Sequence, residues 1–414
     1  MSGLHSFSKE LSNKKIKIGF SVVIAIFFII VSNLRPGIMG QKLGSILILA
    51  VLYLVFVLLL LKPKISLIRI QSPFIFSYVA IVFYLIFQMT FIGLENPKGA
   101  ISVLFMISLG YLPFLFGDAK AARTFAKYLV IICLLLGLSY ILTFILASLK
   151  IYFYLFTINI PTHTGWVYEL PIMFPFSPVY DAGAKVGSLL LPRAIGFMRE
   201  PGLYQMVLIV AFWMVDIYDF KKALLIRTVL ILSLIFTFST AGYFLFLITV
   251  VVKIFSSSKK KAMIIFLGLP ILASILYFLF TTESQFGLAQ KFNNRSGLSR
   301  LEVTLKAIEL ITENPFMGIG FHNRINGMEL GINFLGTTAQ IGLIGVFVFL
   351  FPFIFTLLKI RKQGVAFISI WLCLLTTMLF SQPLYDKPIT YLVLSFLILS
   401  VPNKTVHPMT SYVA

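Results

Sequence analysis

Residues 223–255 read ALLIRTVLILSLIFTFSTAGYFLFLITVVVKIF, with Arg227 and Lys253 the only charged side chains in the stretch. A helix needs roughly 20 apolar residues to cross a bilayer, so this run is too long for one span and too apolar for water. Two helices with a tight turn at Ser239-Thr240-Ala241-Gly242 fit it best. Working outward, further apolar runs fall at 16–31, 44–61, 73–93, 99–116, 125–149, 202–218, 262–280, 336–358, 365–382 and 389–402. With the pair at 223–238 and 241–255, the expectation is an all-α polytopic membrane protein of about twelve transmembrane helices, forming a single integral membrane domain over 1–414.

Composition agrees. Of 414 residues, 59% are hydrophobic and 12% charged, with mean hydropathy +1.00; a soluble domain is about 45–50% apolar and about 25% charged. The formal net charge of +20 raises the question of nucleic acid. The basic residues instead cluster at helix ends. With the N-terminus inside, 21 of the 34 Lys and Arg fall on inner segments, among them Lys120, Arg123, Lys127, Lys221, Lys222, Lys359, Arg361 and Lys362. That bias predicts cytoplasmic termini and argues against a nucleic-acid partner. The basic start at Lys9, Lys14, Lys15 and Lys17 with no small-residue cleavage site predicts an uncleaved signal anchor. Two long loops, 150–201 and 281–335, then lie outside.

Several chemistries are missing. No Gly-rich loop ends in Gly-Lys-Ser/Thr, and no Asp-x-Asp pair offers a metal–nucleotide grip. His5, His163, His322 and His407 are too scattered for a metal site. Cys133 and Cys373 both sit in apolar runs and suggest neither a disulfide framework nor a ligand set. No cofactor and no metal are expected. Away from the helix ends, only Arg227 and Lys306 are candidates for charge within the membrane, and both can snorkel or lie at the boundary; Asp216 and Asp219 read as boundary charges. A coupled transporter usually keeps more than this inside its bundle.

Three stretches stand out. The first, Arg193-Ala194-Ile195-Gly196-Phe197-Met198-Arg199-Glu200-Pro201-Gly202, enters a span with Pro201 suited to the first helical turn and Glu200 to the helix N-terminus. The second is Arg295-Ser296-Gly297-Leu298-Ser299-Arg300, followed by Leu301, Leu305, Ile308 and Ile311 at helical spacing, then Glu313-Asn314-Pro315-Phe316-Met317-Gly318-Ile319-Gly320-Phe321. It predicts an amphipathic helix on the membrane face of the second loop, stopped by Pro315 and turned by the glycines. The third, Gly342-Leu343-Ile344-Gly345, opens a span with small residues that allow close helix approach. Taken singly, each also reads as an ordinary helix start, interfacial helix or packing contact.

In this order, Arg-x-x-Gly-x-x-x-Glu-Pro, Ser-Arg with its helix and Asn-Pro-Phe-x-Gly-Ile-Gly, and Gly-Leu-Ile-Gly resemble the O-antigen polymerase and ligase superfamily over about 189–350. The resemblance implies a membrane-embedded glycosyltransferase that polymerises undecaprenyl-diphosphate-linked oligosaccharide units at the periplasmic face of a bacterial inner membrane, building O-antigen, capsule or exopolysaccharide. Its partners would be the lipid-linked donor and acceptor, the bilayer, a chain-length regulator and a flippase. The ligase branch commonly carries His-Asn just before the Gly-x-x-Gly span. Here the stretch is Gly331-Ile332-Asn333-Phe334, with His322-Asn323 well upstream, which favours polymerase over ligase. A lipid-linked oligosaccharide flippase is the alternative of another class.

The leaving diphosphate is already a stable anion, so the chemistry calls for positive charge more than for a general acid. Arg193 and Arg300 match the family's positions and become the expected catalytic clamp, since a guanidinium fork fits phosphate oxygens. Arg199, Arg295, Arg324 and His322 are expected substrate contacts. Glu200 would orient or deprotonate the acceptor hydroxyl, or serve only the helix start. Tyr204 and Trp166 would stack on sugars, or belong to the interfacial aromatic belt.

Overall fold

Ser72 accepts the Ile75 amide at 3.4 Å and Pro73 takes the first turn, opening helix α1, Pro73–Phe87. A cap followed by proline satisfies one orphan N–H and removes another. The computed structural model describes residues 22, 23, 26–32, 53, 72–95, 97–161, 167–186, 188–218, 220–257, 295–321, 323–325, 328–330, 334–381 and 383–401. The expected spans at 44–61 and 262–280, most of 16–31, and His163, Trp166 and His322 lie outside these residues. So do the side chains of Arg295, Arg300 and Arg324.

α1 runs through a π-helical turn, Gln88–Ile92, into Gly93. α2 is Pro97–Phe116 and α3 is Ala119–Ser148, the latter capped by Asp118, which accepts the Ala121 amide at 2.7 Å. After the first loop come α4 Pro201–Ile217, α5 Ala223–Ile235 and α6 Thr240–Ser257. The second loop carries α7 Arg295–Glu313, and α8 Phe334–Ile360, α9 Val365–Phe380 and α10 Pro388–Leu399 complete the described chain. The run at 223–255 is therefore two helices, joined at 236–239. Among the described residues, four helices are long and apolar enough to cross a membrane: 73–92, 99–116, 119–148 and 334–360. The protein is a multi-pass membrane protein.

The first loop corrects the all-α expectation. It folds into an antiparallel sheet in the order β1-β2-β3-β4: Tyr154–Pro161, Val167–Met173, Ser177–Val186 and Leu189–Ala194. Its sequence is rich in aromatic and β-branched residues, which suit a pleated surface, and its runs are too short to span a bilayer. Leu170, Ile172 and Ile195 form a small core of its own, with Ile158 and Tyr180 packed on it. A two-stranded ribbon, β5 Arg324–Ile325 and β6 Met328–Glu329, lies in the second loop.

The long helices stand around a buried centre. α4 buries thirteen of its seventeen residues and α10 eleven of twelve. Gly110 of α2 lets α10 close in, since a Cβ there would meet the Pro388 carbonyl at 2.6 Å. The up-and-down order directs 93–95, the sheet, 236–239, 314–321 and 383–387 toward one side of the bundle, called the loop face below. On the opposite face Asp216 of α4 receives both Arg227 of α5 and Lys253 of α6. This boundary charge thus ties three helices together.

Candidate active site on the loop face

β4 delivers Arg193 to the junction between sheet and bundle. Arg193 pairs across the strands with Tyr180, and its guanidinium stands 5.5 Å from that ring's centre. Nε donates to the Thr237 carbonyl at 3.2 Å and Nη2 to the Phe238 carbonyl at 3.3 Å. The Ala194 amide donates to the Phe236 carbonyl at 2.9 Å, fastening the strand's end to the α5–α6 turn. A planar cation laid on an aromatic face and aimed by two carbonyls has little orientation left to lose.

The glycine three residues on has a steric cause. Gly196 has φ +57°, and a Cβ there would lie 2.2 Å from the Tyr204 ring. The Tyr140 hydroxyl accepts the Ile195 and Gly196 amides at 3.1 and 3.0 Å. Tyr204 is wholly buried, its hydroxyl 3.3 Å from that of Ser233. It is the plate under the Gly196 turn, and it exposes no surface to a sugar. Glu200 caps α4 by its backbone only; its Oε1 accepts from Arg199 at 2.8 Å, and both side chains are part-exposed.

Gln205 was not singled out from the sequence. Its Nε2 donates to Thr237 Oγ1 at 2.8 Å and to the Ser239 carbonyl at 2.9 Å, holding the turn that carries Arg193's acceptors. A lone glutamine in an apolar run gives no signal of this. The neighbouring Gly242 was a faint one: a Cβ there would meet Gln205 Oε1 at 1.9 Å.

The second and third motifs turn out to be one structure. α8 is broken at Gly342, φ +62° and ψ 177°, which frees backbone groups on either side. The segment after α7 fills the break. The Ile319 and Gly320 amides donate to the Ala339 and Gln340 carbonyls at 3.0 Å each, and the Leu343 and Ile344 amides to the Pro315 and Phe316 carbonyls at 2.9 and 3.2 Å. Non-helical backbone at membrane depth survives only when protein satisfies it. Gly318 and Gly342 face each other so closely that a Cβ on the latter would lie 2.2 Å from the Phe316 carbonyl oxygen. Gln88 in the π-turn locks the arrangement. Its Nε2 donates to Met317's carbonyl at 2.6 Å and its Oε1 accepts the Phe321 amide at 2.7 Å. Tyr84 donates to the Ile341 carbonyl.

α7 has two apolar faces. Val303, Ala307 and Leu310 pack on Leu330 and on Ala339 of α8. Leu301, Leu305 and Ile308 of the expected stripe point away from the protein, and Ile311 is part-buried. Arg295 and Arg300 lie in the first turns of α7, and Arg324 in β5. No described contact joins either segment to Arg193.

To the expected candidates for buried charge, Arg227 and Lys306, the structure adds Asp386, which lies between the last two expected spans. α10 begins only at Pro388, whose carbonyl lies against Gly110, more than half-way along α2. The preceding residues therefore descend into the bundle, carrying Asp386, 1% exposed, which accepts from Lys387 Nζ at 2.8 Å. Tyr385 beside it packs on Phe321 and Phe349, below the α8 break, and donates to Gln340 Oε1 at 3.4 Å. Lys306 instead pairs with Glu309 along α7 at 2.7 Å. Among the described residues no group of three His, Cys, Asp or Glu side chains is placed to hold a metal ion.

Compared with known proteins, residues 225–335 match the family model described as O-Antigen ligase. The match begins at the third residue of α5, takes in α6, α7 and the 315–321 turn, and ends at the second residue of α8. No curated protein matches the chain.

Proposed function

We propose, from the premise that this chain belongs to the O-antigen polymerase and ligase superfamily, that it extends polysaccharide chains held on undecaprenyl diphosphate. The loop face would be periplasmic, with both termini cytoplasmic and the protein in the bacterial inner membrane. The observation that carries the reading is Arg193, laid on Tyr180 and aimed by the 237 and 238 carbonyls beside the bundle.

In this mechanism the acceptor sugar's hydroxyl oxygen attacks the anomeric carbon of the donor chain. The bond from that carbon to the diphosphate oxygen breaks, and the lipid diphosphate leaves with the electron pair. Arg193 and Arg300 neutralise the growing negative charge, with Arg199, Arg295, Arg324 and His322 as further contacts to phosphate or sugar. Glu200 takes the proton of the acceptor hydroxyl on parting from Arg199. Neither a nucleotide sugar nor a metal enters the reaction.

Arg193→Ala and Arg300→Ala should each abolish chain extension at normal membrane levels of protein. Loss of one charged contact in a dry site costs about 3 kcal/mol of transition-state stabilisation, roughly 10²-fold in rate, and Arg→Lys should recover only part of it. Full-length product from both alanine variants would refute the clamp. The ligase reading is supported by the description of the matched family, and a deletion strain separates the two. Loss of long chains with a single unit still on the surface acceptor marks the polymerase. Full-length polymer stranded on the lipid carrier marks the ligase. Absence of even a single unit, with units trapped on the inner leaflet, marks a flippase.

A further inference from the structure

The turn between β2 and β3 reads Phe174-Pro175-Phe176-Ser177-Pro178. It is fastened to the side of α3, and not to its end. The Phe176 amide donates to Ser139 Oγ at 3.2 Å, and Thr143 Oγ1 donates to the Phe174 carbonyl at 2.7 Å. The Ser139 and Ser177 hydroxyls lie 2.7 Å apart, and Tyr140 donates to the Pro178 carbonyl. The Phe174 amide goes to the Phe153 carbonyl at 3.0 Å. Pro175 and Pro178 have no N–H to satisfy. A turn in water needs no such provision, because solvent would take these groups.

Depth follows from helix geometry. Ser139, Tyr140 and Thr143 lie in the last three turns of α3. At 1.5 Å per residue they stand about 18–24 Å beyond the exposed Lys127, inside a hydrocarbon layer about 30 Å thick measured from that charge. The side chains the turn turns outward are Phe174, 44% exposed, and Phe176, 55% exposed. With exposed Ile151–Phe156 they continue the outward stripe Leu135, Leu138, Leu142, Ile145 and Leu149 of α3. No charged residue occurs in 151–161 or in 170–180. The charged residues of the sheet, Glu169, Asp181, Lys185 and Arg193, all fall outside these two runs.

We propose that this turn and the start of β1 are a re-entrant element of the membrane, with lipid acyl chains of the loop-face leaflet covering Phe174 and Phe176. The first long loop then folds partly into the bilayer, and the depth of Arg193, on the same sheet, is set by it. The inference rests on the multi-pass architecture and is independent of the enzymatic reading.

The test uses the full-length protein in phosphatidylethanolamine–phosphatidylglycerol vesicles with one nitroxide label at a time. Positions are Phe176→Cys and Phe174→Cys, with Leu142→Cys as lipid reference and Glu169→Cys and Lys185→Cys as water references. Cys133 and Cys373 are fully buried and do not compete for label. Collision with oxygen should dominate over collision with a water-soluble nickel chelate at 174 and 176, as at 142, and the order should reverse at 169 and 185. Nickel access at 176 equal to that at 185 would overturn the proposal. So would shielding of 176 from both reagents, which would mean a protein neighbour covers the turn. If the cysteine variants do not fold, Phe176→Trp replaces them: its added fluorescence should be quenched by lipids brominated along the acyl chain. Quenching by aqueous acrylamide instead would reject the inference.

Discussion

Gly342→Ala should damage this protein far more than its one methyl group suggests, and Gly364→Ala supplies the scale. Gly342 has φ +62°, ψ 177° and Gly364 has φ +114°, ψ 169°, both in a region essentially restricted to glycine. A side chain there costs about 1–3 kcal/mol in backbone strain. At Gly364 nothing lies within 4 Å of the new Cβ, so strain is the whole effect. At Gly342 the methyl would lie 2.2 Å from the Phe316 carbonyl oxygen and 2.6 Å from the Gly318 amide nitrogen, and both are backbone. The 315–320 segment must retreat, breaking at least two of its four hydrogen bonds to α8. Buried backbone groups left unpaired cost about 1–3 kcal/mol each, so the excess over Gly364→Ala should be about 2–6 kcal/mol. Unfolding of the two purified variants in one detergent measures the difference directly. Equal destabilisation by both, within about 1 kcal/mol, would refute the claim that loop and broken helix are stitched together.

Asp386→Ala should destabilise by about 3–5 kcal/mol, because it removes the buried carboxylate that faces the Lys387 ammonium. Asp386→Leu with Lys387→Met should recover much of that stability in the same unfolding assay; recovery of stability without chain extension would assign the pair to function. Gln88→Leu removes the group that both donates to Met317 and accepts from Phe321, and should lower stability by about 2–4 kcal/mol. Gln88→Glu should restore the accepting bond alone, and a variant as stable as wild type from either change would contradict the role given to Gln88.

The four long apolar helices at 73–92, 99–116, 119–148 and 334–360 were legible because length and hydropathy are local properties. So were the two helices within 223–255 and the stop of α7 at Pro315, where one residue's missing N–H decides the outcome. The sheet was not legible. Its strands are short, largely apolar and rich in aromatic residues, and in a chain this apolar they carry little contrast with their surroundings. Arg193 could be named from its motif, but its acceptors at 237 and 238 are backbone carbonyls more than forty residues away, which no side-chain pattern announces. Asp386 was passed over for a different reason. It sits two residues before a proline and beside Lys387, as an exposed turn residue would, and only the packing of Pro388 against Gly110 puts it inside.

The stitched break in α8 bears on how such proteins can be recombined. The two halves of the stitch, 315–320 and 339–344, contribute carbonyls and amides to each other and leave no seam between what looks like a loop and what looks like a span. A chimera that transplants the second loop and stops at the start of α8, where the family match also ends, would pair one parent's turn with the other parent's gap. The natural unit of exchange runs from the start of α7 through Gly345. Crossovers placed inside that cassette should yield unfolded protein, whatever the compatibility of the parents' substrates.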